Sequence, residues 1–408
     1  MSTSLLTHAF GIPTGYEYQR THYAGGEVSF VIKEKKSHLR CAICESRNVI
    51  LRGSHLRRFR TLPIGNRPVW IEYAVPRLEC SDCQSIRQAR IRFANGSVRY
   101  TRRFRTLVLI LSRHMTIKAV ADYLHVGWDL VKDIQKKHLL RRYGRPNIRK
   151  LKRIAIDEIY MGKGSGYLTV VLDLQRGVVV HVGNGKSGEA LEKFWRRLKR
   201  AKVELEVVAT DMGSPFIKSA RDNQPGAVNV VDHFHVIKLF NEKLTTLRRD
   251  MQRDAEDAQL KEVLKGTRWL LLMSTEKLNA KSEDARERLN KALALNEPLA
   301  KAYYLKDELR MIWHQANKKE ASRALTDWIQ KAEVAGVAML KSFARTLARL
   351  RHAILAYYDF DGLSSGPMEG SNNKIKTIHK TAYGYRDMEF FKLKILSMHE
   401  SRKDAFAG

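Results

Sequence analysis

No stretch of the 408-residue chain is apolar for anything near the ~20 residues that a membrane-spanning helix needs; Trp269–Met273 and Val178–Val182 are far shorter. Residues 1–25 lack the apolar centre of a secretory signal. Four cysteines are too few for a disulfide scaffold. Acidic residues are scarce, with 43 Asp+Glu against 74 Lys+Arg and a formal net charge of +31. There is no internal repeat and no low-complexity tract. These absences lead us to expect a reduced, cytoplasmic protein with no membrane partner. The charge excess calls for a polyanion, most simply nucleic acid.

What is present is unevenly distributed. Residues 1–150 hold 29 Lys+Arg and 10 Asp+Glu, so the N-terminal third is the expected docking surface. All four cysteines fall in two pairs, Cys41-Ala42-Ile43-Cys44 and Cys80-Ser81-Asp82-Cys83. A two-residue gap lets both thiolates of a turn face one ion, and two such knuckles complete a closed tetrahedral Zn²⁺ site. Four ordinary buried cysteines are the plainer reading, but the pairing uses every cysteine of the chain. Between the knuckles Val69, Ile71 and Tyr73 alternate with Trp70 and Glu72, as in a strand. The segment reads as a zinc ribbon with a long spacer, crowded by Arg52, Arg57, Arg58, Arg60, Arg67 and Arg77.

Residues 102–140 have helical spacing. Thr116 is placed to cap a helix over Ile117–Leu124, His125-Val126-Gly127 is a turn, and Trp128–Leu140 is a second helix. Helical pairs occur in every fold class, yet this one borders a basic run from Arg141 to Arg153. It reads as a helix-turn-helix whose second helix offers Trp128, Asp129, Lys132 and Lys136 to DNA, with Arg141 and Arg142 beside them.

Beyond Pro146 the pattern changes to strands and helices in the order β-β-β-α-β-α-β. The strands are Ile154–Ile156, Tyr167–Leu172, Val178–Val182, Val203–Thr210 and Val228–Val231; the helices are Glu189–Lys199 and Ser214–Asp222. Val236–Phe360 is helical, with apolar stripes such as Ala302, Leu305, Leu309 and Ile312. Those stripes suit a bundle core better than a binding surface.

Asp157 and Asp211 each end an apolar strand. A single aspartate there is more often a cap or turn residue. Two on strands that can be neighbours suit phosphodiester chemistry, in which carboxylates hold paired Mg²⁺ or Mn²⁺ ions. A third carboxylate is supplied by Glu369 in Gly366-Pro367-Met368-Glu369-Gly370-Ser371-Asn372-Asn373-Lys374-Ile375-Lys376. Pro367 suits a first helical turn, and Glu369, Asn372, Asn373 and Lys376 then share one face. A polar outer face of an amphipathic helix is the simpler account of that pattern alone.

The motifs Ile156-Asp157-Glu158, Ala209-Thr210-Asp211-Met212, Val231-Asp232-His233-Phe234-His235-Val236, Met368 to Lys376 and Ala382-Tyr383-Gly384-Tyr385-Arg386, together with the four cysteines, resemble bacterial insertion-sequence transposases of the DDE type, specifically the ISL-three family. The resemblance spans nearly the whole chain. It implies a multidomain protein: a zinc ribbon plus helix-turn-helix, then an α/β ribonuclease-H-like catalytic domain with a large all-α insertion. It implies Asp157, Asp211 and Glu369 as the catalytic, Mg²⁺-binding triad, with Asp232 and His235 near them; Asn372, Asn373 and Lys376 are expected auxiliary groups by their place on the Glu369 face, the amides for nucleic acid and the lysine for phosphate. Glu158 and Asp173 stay open as helpers, and Glu389 or Glu400 as substitutes for Glu369. Expected domains are 1–100 (zinc ribbon), 101–145 (helix-turn-helix), 150–238 with 362–404 (catalytic) and 239–361 (insertion). The expected activity is cleavage at terminal inverted repeats and 3′-end strand transfer into target DNA, by a homo-oligomer on double-stranded DNA in the bacterial nucleoid. The alternatives are a non-catalytic DNA-binding regulator derived from a transposase, and a ribonuclease-H-like nuclease.

Overall fold

A computed structural model describes residues 3–399 except 165, 213, 214, 257–260, 263, 266, 274–276, 279, 280, 282, 361, 362, 364 and 365. Two compact units emerge, Met1–Arg142 and Tyr143–Gly408.

The first unit begins with α1 (Thr3–Phe10) and a hairpin of β1 (Tyr16–Ala24) and β2 (Glu27–Glu34). Two long strands follow, β3 (Val49–Ile64) and β4 (Arg67–Cys80), paired antiparallel from Val49↔Cys80 to Ile64↔Arg67. β4 also pairs parallel with β2 and, near its end, antiparallel with β5 (Ile86–Gln88). Val69, Ile71 and Tyr73 are buried, while Trp70 and Glu72 are half-exposed, as their alternation requires. Tyr16, Phe59, Tyr73 and Phe93 pack edge-on in the core. The β1–β2 hairpin is absent from the sequence reading because β1 buries only Tyr16 fully and so carries little alternation.

Next come α2 (Arg102–Leu111), α3 (Ile117–Leu124) and α4 (Trp128–Tyr143). Thr116 accepts a hydrogen bond from the Ala119 N–H, the expected N-cap, and Thr101 accepts one from the Phe104 N–H in the same way. The turn between α3 and α4 passes through the left-handed region at His125, φ 49°, rather than at Gly127. Phe104, Val108, Val120, Leu124, Val131 and Ile134 form the three-helix core.

The second unit is built on β6 (Arg153–Tyr160), β7 (Tyr167–Asp173), β8 (Val178–Asn184), β9 (Val207–Thr210) and β10 (Val228–Val231), in the order β10-β9-β6-β7-β8. The β6-β7-β8 meander is antiparallel, and β9 and β10 join parallel to β6. This is the ribonuclease-H-like mixed sheet. α5 (Glu192–Ala201) and α6 (Pro215–Asn223) cover one face. α14 (Gly366–Thr381) and α15 (Met388–Ser397) cover the other, through Met368, Ile375, Phe391 and Ile395. The largest departures from the expected strand limits are in β6 and β9, while β7 and β8 run one and two residues further than expected. β6 runs past Asp157 to Tyr160 because Ile159 continues the buried face. β9 starts at Val207, since Lys202 turns left-handed, φ 50°, after α5.

Between β10 and α14 lies the helical bundle: α7 (His233–Asp254), α8 (Arg268–Leu272), α9 (Glu283–Ala294), α10 (Glu297–Met311), α11 (Lys318–Val334), α12 (Ala338–Arg349) and α13 (Arg351–Leu355). Its core includes Phe240, Leu305, Trp328 and Phe343 and reaches Val231 and Met212 at the sheet. The apolar stripe of α10 faces inward, as its spacing predicts. Lys306 is fully buried there, donating 2.7 Å to the Leu271 carbonyl and 2.5 Å to that of Met273 at the end of α8. Burial lowers its pKa to about 8. No helix is long and apolar enough to cross a membrane among the described residues.

His181 on β8 is buried against Phe194, with Nε2 2.9 Å from the Ala190 carbonyl, and burial pushes its pKa down to about 4. The unfolded imidazole takes up its proton near pH 6.5, so between there and about pH 4 the unfolded state binds more protons. Stability should therefore fall as pH falls through that window, by about 1.4 kcal/mol per pH unit for this one group. His181→Gln should flatten the acid limb of a melting-temperature profile by one proton; an unchanged slope would refute it.

Candidate active site and metal centre

The zinc knuckles lie at the open end of the β3–β4 hairpin, where Val49 faces Cys80. The ligand atoms of Cys41, Cys44, Cys80 and Cys83 all lie within 4.8 Å of one another. Cys41 Sγ is 3.6 Å from Cys83 Sγ, and Cys44 Sγ is 3.5 Å from Cys80 Sγ. A tetrahedron of zinc–sulfur bonds of about 2.3 Å has sulfur–sulfur edges of about 3.8 Å, so the four thiols fit zinc. The Ile43 N–H donates to Cys41 Sγ, and the Ser85 hydroxyl stands 3.0 Å from Cys83 Sγ, so both sulfurs gain polar support. With four protein ligands the centre is closed and structural.

On α4, Trp128, Asp129, Arg141 and Arg142 are exposed and Lys132 and Lys136 half-exposed, with Lys132 Nζ 5.2 Å from the Trp128 ring centroid. Sequence reasoning missed a second basic feature. Arg102 and Arg105 of α2 join Lys137 and Arg141 of α4 around a cleft of about 220 Å³. Burial, and then the charge of Arg141, lower the pKa of Arg105. Helical spacing alone does not reveal that the two helices bring these cations together.

The carboxylates are placed by strand register. Ala155 pairs with Ala209 and Val231 with Thr210. Carried two residues further, the first pairing sets Asp157 beside Asp211; the second, carried one further, sets Asp232 beside Asp211. Asp157 lies on the sheet face under α14, where Ala155 and Ile159 pack against Met368 and Ile375. Asn372 Nδ2 donates to Asp157 Oδ2 at 2.6 Å. Glu369 lies one helical turn before Asn372 and is exposed, as are Asn373 and Lys376. The structure thus brings Asp157, Asp211, Asp232, His235 and Asn372 together, while Glu369, Asn373 and Lys376 lie exposed on α14. Among the described residues, the four cysteines are the one His, Cys, Asp or Glu group already drawn to metal-ligand spacing.

Asp232 is buried and caps α7, accepting from the Phe234 N–H, while its two oxygens stand 3.4 Å from His233 Nδ1 and 3.3 Å from His235 Nδ1. The pKa of His235 is raised, chiefly by Asp232 and further by Asp157 and Asp211, against the opposing effect of burial. Glu158 follows Asp157 and is half-buried; burial first, then the charges of Asp211 and Asp157, raise its pKa. Glu158 Oε2 and Asn372 Oδ1 are buried without a hydrogen-bond partner among the described residues. Buried acceptor oxygens beside the carboxyl groups of Asp157 and Asp211 fit a hard divalent cation. Asp173 is excluded as a helper, because it is committed to the β7–β8 turn through Gln175 N, Arg176 N and Arg176 Nε. Glu389 lies in the first turn of α15 and pairs with Lys392; Glu400 lies outside the described residues.

Known proteins match this architecture segment by segment. A family model described as a transposase, of the DDE type found in the ISL3 family, matches residues 154–395. The helix-turn-helix domain of transposase family ISL3 matches residues 90–139, and the zinc-finger of transposase IS204/IS1001/IS1096/IS1165 matches residues 38–83. The chain belongs to the ISL3 family of transposases. It is 32% identical to the transposase for insertion sequence element IS1001 of Bordetella parapertussis, over 96% of this chain and 97% of that protein. It is 27% identical to the transposase for insertion sequence element IS1557 of Mycobacterium tuberculosis, over 82% and 80%. The Drosophila P element transposase strand transfer complex aligns over 73% of this chain and 92% of the other, with 9% identity and a TM-score of 0.38. The chain is therefore a DNA transposase, with a DNA-binding helix-turn-helix and a zinc ribbon.

Cys41→Ser or Cys80→Ser removes one of four ligands and should release zinc in a metal assay, unfolding the knuckle end of the ribbon with loss of DNA binding. Retention of one zinc per chain in either variant would contradict the site. Lys132→Ala should lower the slope of log affinity against log salt by roughly 0.9, one phosphate contact, measured by fluorescence anisotropy.

Proposed function

We propose that the transposase binds the terminal inverted repeats of its own insertion sequence, nicks DNA by hydrolysis, and joins the resulting 3′-hydroxyl to target DNA, both at one site held by Asp157, Asp211 and Glu369. The observation that carries this reading is the row of Asp157, Asp211 and Asp232 across the neighbouring strands β6, β9 and β10, tied through the 2.6 Å Asn372–Asp157 hydrogen bond to the helix that bears Glu369. Two Mg²⁺ or Mn²⁺ ions, when bound, would activate the attacking oxygen and stabilise the leaving one.

The chain's own residues do the rest. Asp157 and Asp211 supply charge from adjacent strands, and Glu369 supplies a third carboxylate from α14. Asn372 orients Asp157. Asp232, Asp157 and Asp211 favour the charged form of His235, which opposes the carboxylates' mutual repulsion. Glu158, with its raised pKa, is a further ligand once a cation favours its ionised form. Lys376 and Asn373, exposed on α14, are placed for phosphate and sugar contacts. Trp128, Lys132, Lys136, Arg141 and Arg142 hold the repeat. Two element ends must be held at once, which a homo-oligomer on nucleoid DNA supplies.

Asp157→Asn, Asp211→Asn and Glu369→Gln each keep shape and remove a ligand charge. Each should cut strand cleavage and joining by at least about a thousandfold, the scale of losing an electrostatic catalytic group, while binding to the repeats stays within about threefold. A Glu369→Gln protein that cleaves at the normal rate would overturn the triad.

A further inference from the structure

The first turns of α7, with α8 and the residues after α10, enclose an open cleft of about 620 Å³. It adjoins the carboxylates through Asp232, whose one oxygen faces His235 and whose other stands 3.4 Å from His233 on the cleft wall. Neither the zinc centre nor the carboxylate chemistry uses it.

Three features of its lining point to one kind of occupant. The first is aromatic. Phe234 is 54% exposed, although its neighbours Val236 and Phe240 are buried, and the His233 ring stands 4.0 Å from Phe234 and 6.0 Å from Trp313 between ring centroids. The second is an unmet polar pair: Asn241 Oδ1, an acceptor, and Trp313 Nε1, a donor, are buried without a hydrogen-bond partner among the described residues. A buried polar atom left unpaired is costly, and ring donor and acceptor groups of a ligand would satisfy both. The third is charge. Lys238, Arg268 and Arg310 line the cleft against the single carboxylate of Glu242. A water could satisfy the polar pair, but it explains neither the exposed ring nor the cations.

Flat faces, one donor with one acceptor, and cations match a nucleobase with its phosphate. We infer that the cleft receives one unstacked nucleotide of the DNA strand under reaction, its base against Phe234 and Trp313 and its phosphate toward Lys238 and Arg268. A base drawn out of the stack can be held in a pocket by stacking and hydrogen bonds, and a pocket beside the carboxylates would keep the strand distorted there. The inference rests on the strand-processing reading given above and adds to it a subsite for a single base.

Fluorescence anisotropy with the full-length protein tests it on two probes: a blunt duplex, and the same duplex with a short single-stranded overhang. The overhang should bind about tenfold more tightly, the scale of one base stacked on an aromatic side chain. Phe234→Ala and Arg268→Ala should each erase that preference and leave blunt-duplex affinity unchanged, and Phe234→Trp should keep it. Phe234 is largely exposed, so its replacement leaves the core intact. Equal binding of both duplexes by the unaltered protein, or a preference indifferent to both alanine variants, overturns the inference. Equal binding accompanied by Phe234-dependent uptake of adenosine monophosphate also overturns it, and assigns the cleft to a free mononucleotide. The assay reads binding without cleavage. Normal cutting by Asp211→Asn protein would thus sink the carboxylate assignment and leave the overhang preference standing.

Discussion

The parallel pairing of β6, β9 and β10 is the constraint on which the active-site region depends. A strand has a side-chain period of two, so slipping β9 by one residue against β6 would send Asp211 to the opposite face from Asp157. The register is fixed by burial. Ile154 and Val208 must enter the core under α5 and α6, while Ala155 and Ala209 must enter the one under α14 and α15. Both cores are apolar, and each strand in the middle of the sheet is covered on both faces, so neither face tolerates the exchange. The row of acidic side chains is thus a by-product of hydrophobic packing a few residues earlier.

Asp232 links that row to the bundle. It ends β10, caps α7 and contacts two histidines that point toward different surroundings. Burying a carboxylate at 3% exposure is costly unless it is paired. Here the N-terminal N–H groups of α7 and the two imidazoles offset the cost together. Since α7 continues for 22 residues into the bundle core, the orientation of the bundle is set where the strand ends. Phe240 and Leu244 on the same helix then pack with Trp328 and Phe343. The insertion is therefore an extension of the sheet's own last crossover, with a continuous core from Val231 to Phe343.

The legibility of the sequence follows the range of the interactions concerned. Asp157 and Asp211 are visible because each directly follows a short apolar run, a local feature, although β6 itself continues past Asp157 to Tyr160. The helix-turn-helix is visible because Thr116 caps within its own turn and the apolar spacing of each helix is local. The zinc ligands are visible because two thiols at a gap of two already form half a site. Glu158 is different. Alternation puts it on the far side of the strand from Asp157, and only the folded unit reveals that it is half-buried and close enough to Asp211 for that charge to raise its pKa. The β1–β2 hairpin escapes because an exposed edge strand has no apolar face to alternate. The cleft at Phe234 escapes for the opposite reason. Asn241 belongs to α7 and Trp313 follows α10, and no periodicity within either segment announces their convergence.

The N-terminal unit shows how one charged side chain can join two motifs that sequence reads as separate. Arg60 lies on β3 of the ribbon and is 3% exposed. Its Nη2 donates 2.8 Å to the Leu124 carbonyl at the end of α3, while the guanidinium lies 5.5 Å from the Trp70 ring and 5.8 Å from Phe104. Nε and Nη1 have no hydrogen-bond partner among the described residues, and burial lowers its pKa. The offset comes from the aromatic faces and from the negative end of the α3 dipole, both of which favour a delocalised cation over a compact ammonium. Beside it Thr101 N donates to the Arg60 carbonyl, and the hydroxyls of Thr61 and Thr101 meet at 3.1 Å. The ribbon strand therefore fixes both the cap of α2 and the end of α3. A ribbon that lost its register near the zinc would transmit the error along β3 to the turn that presents α4.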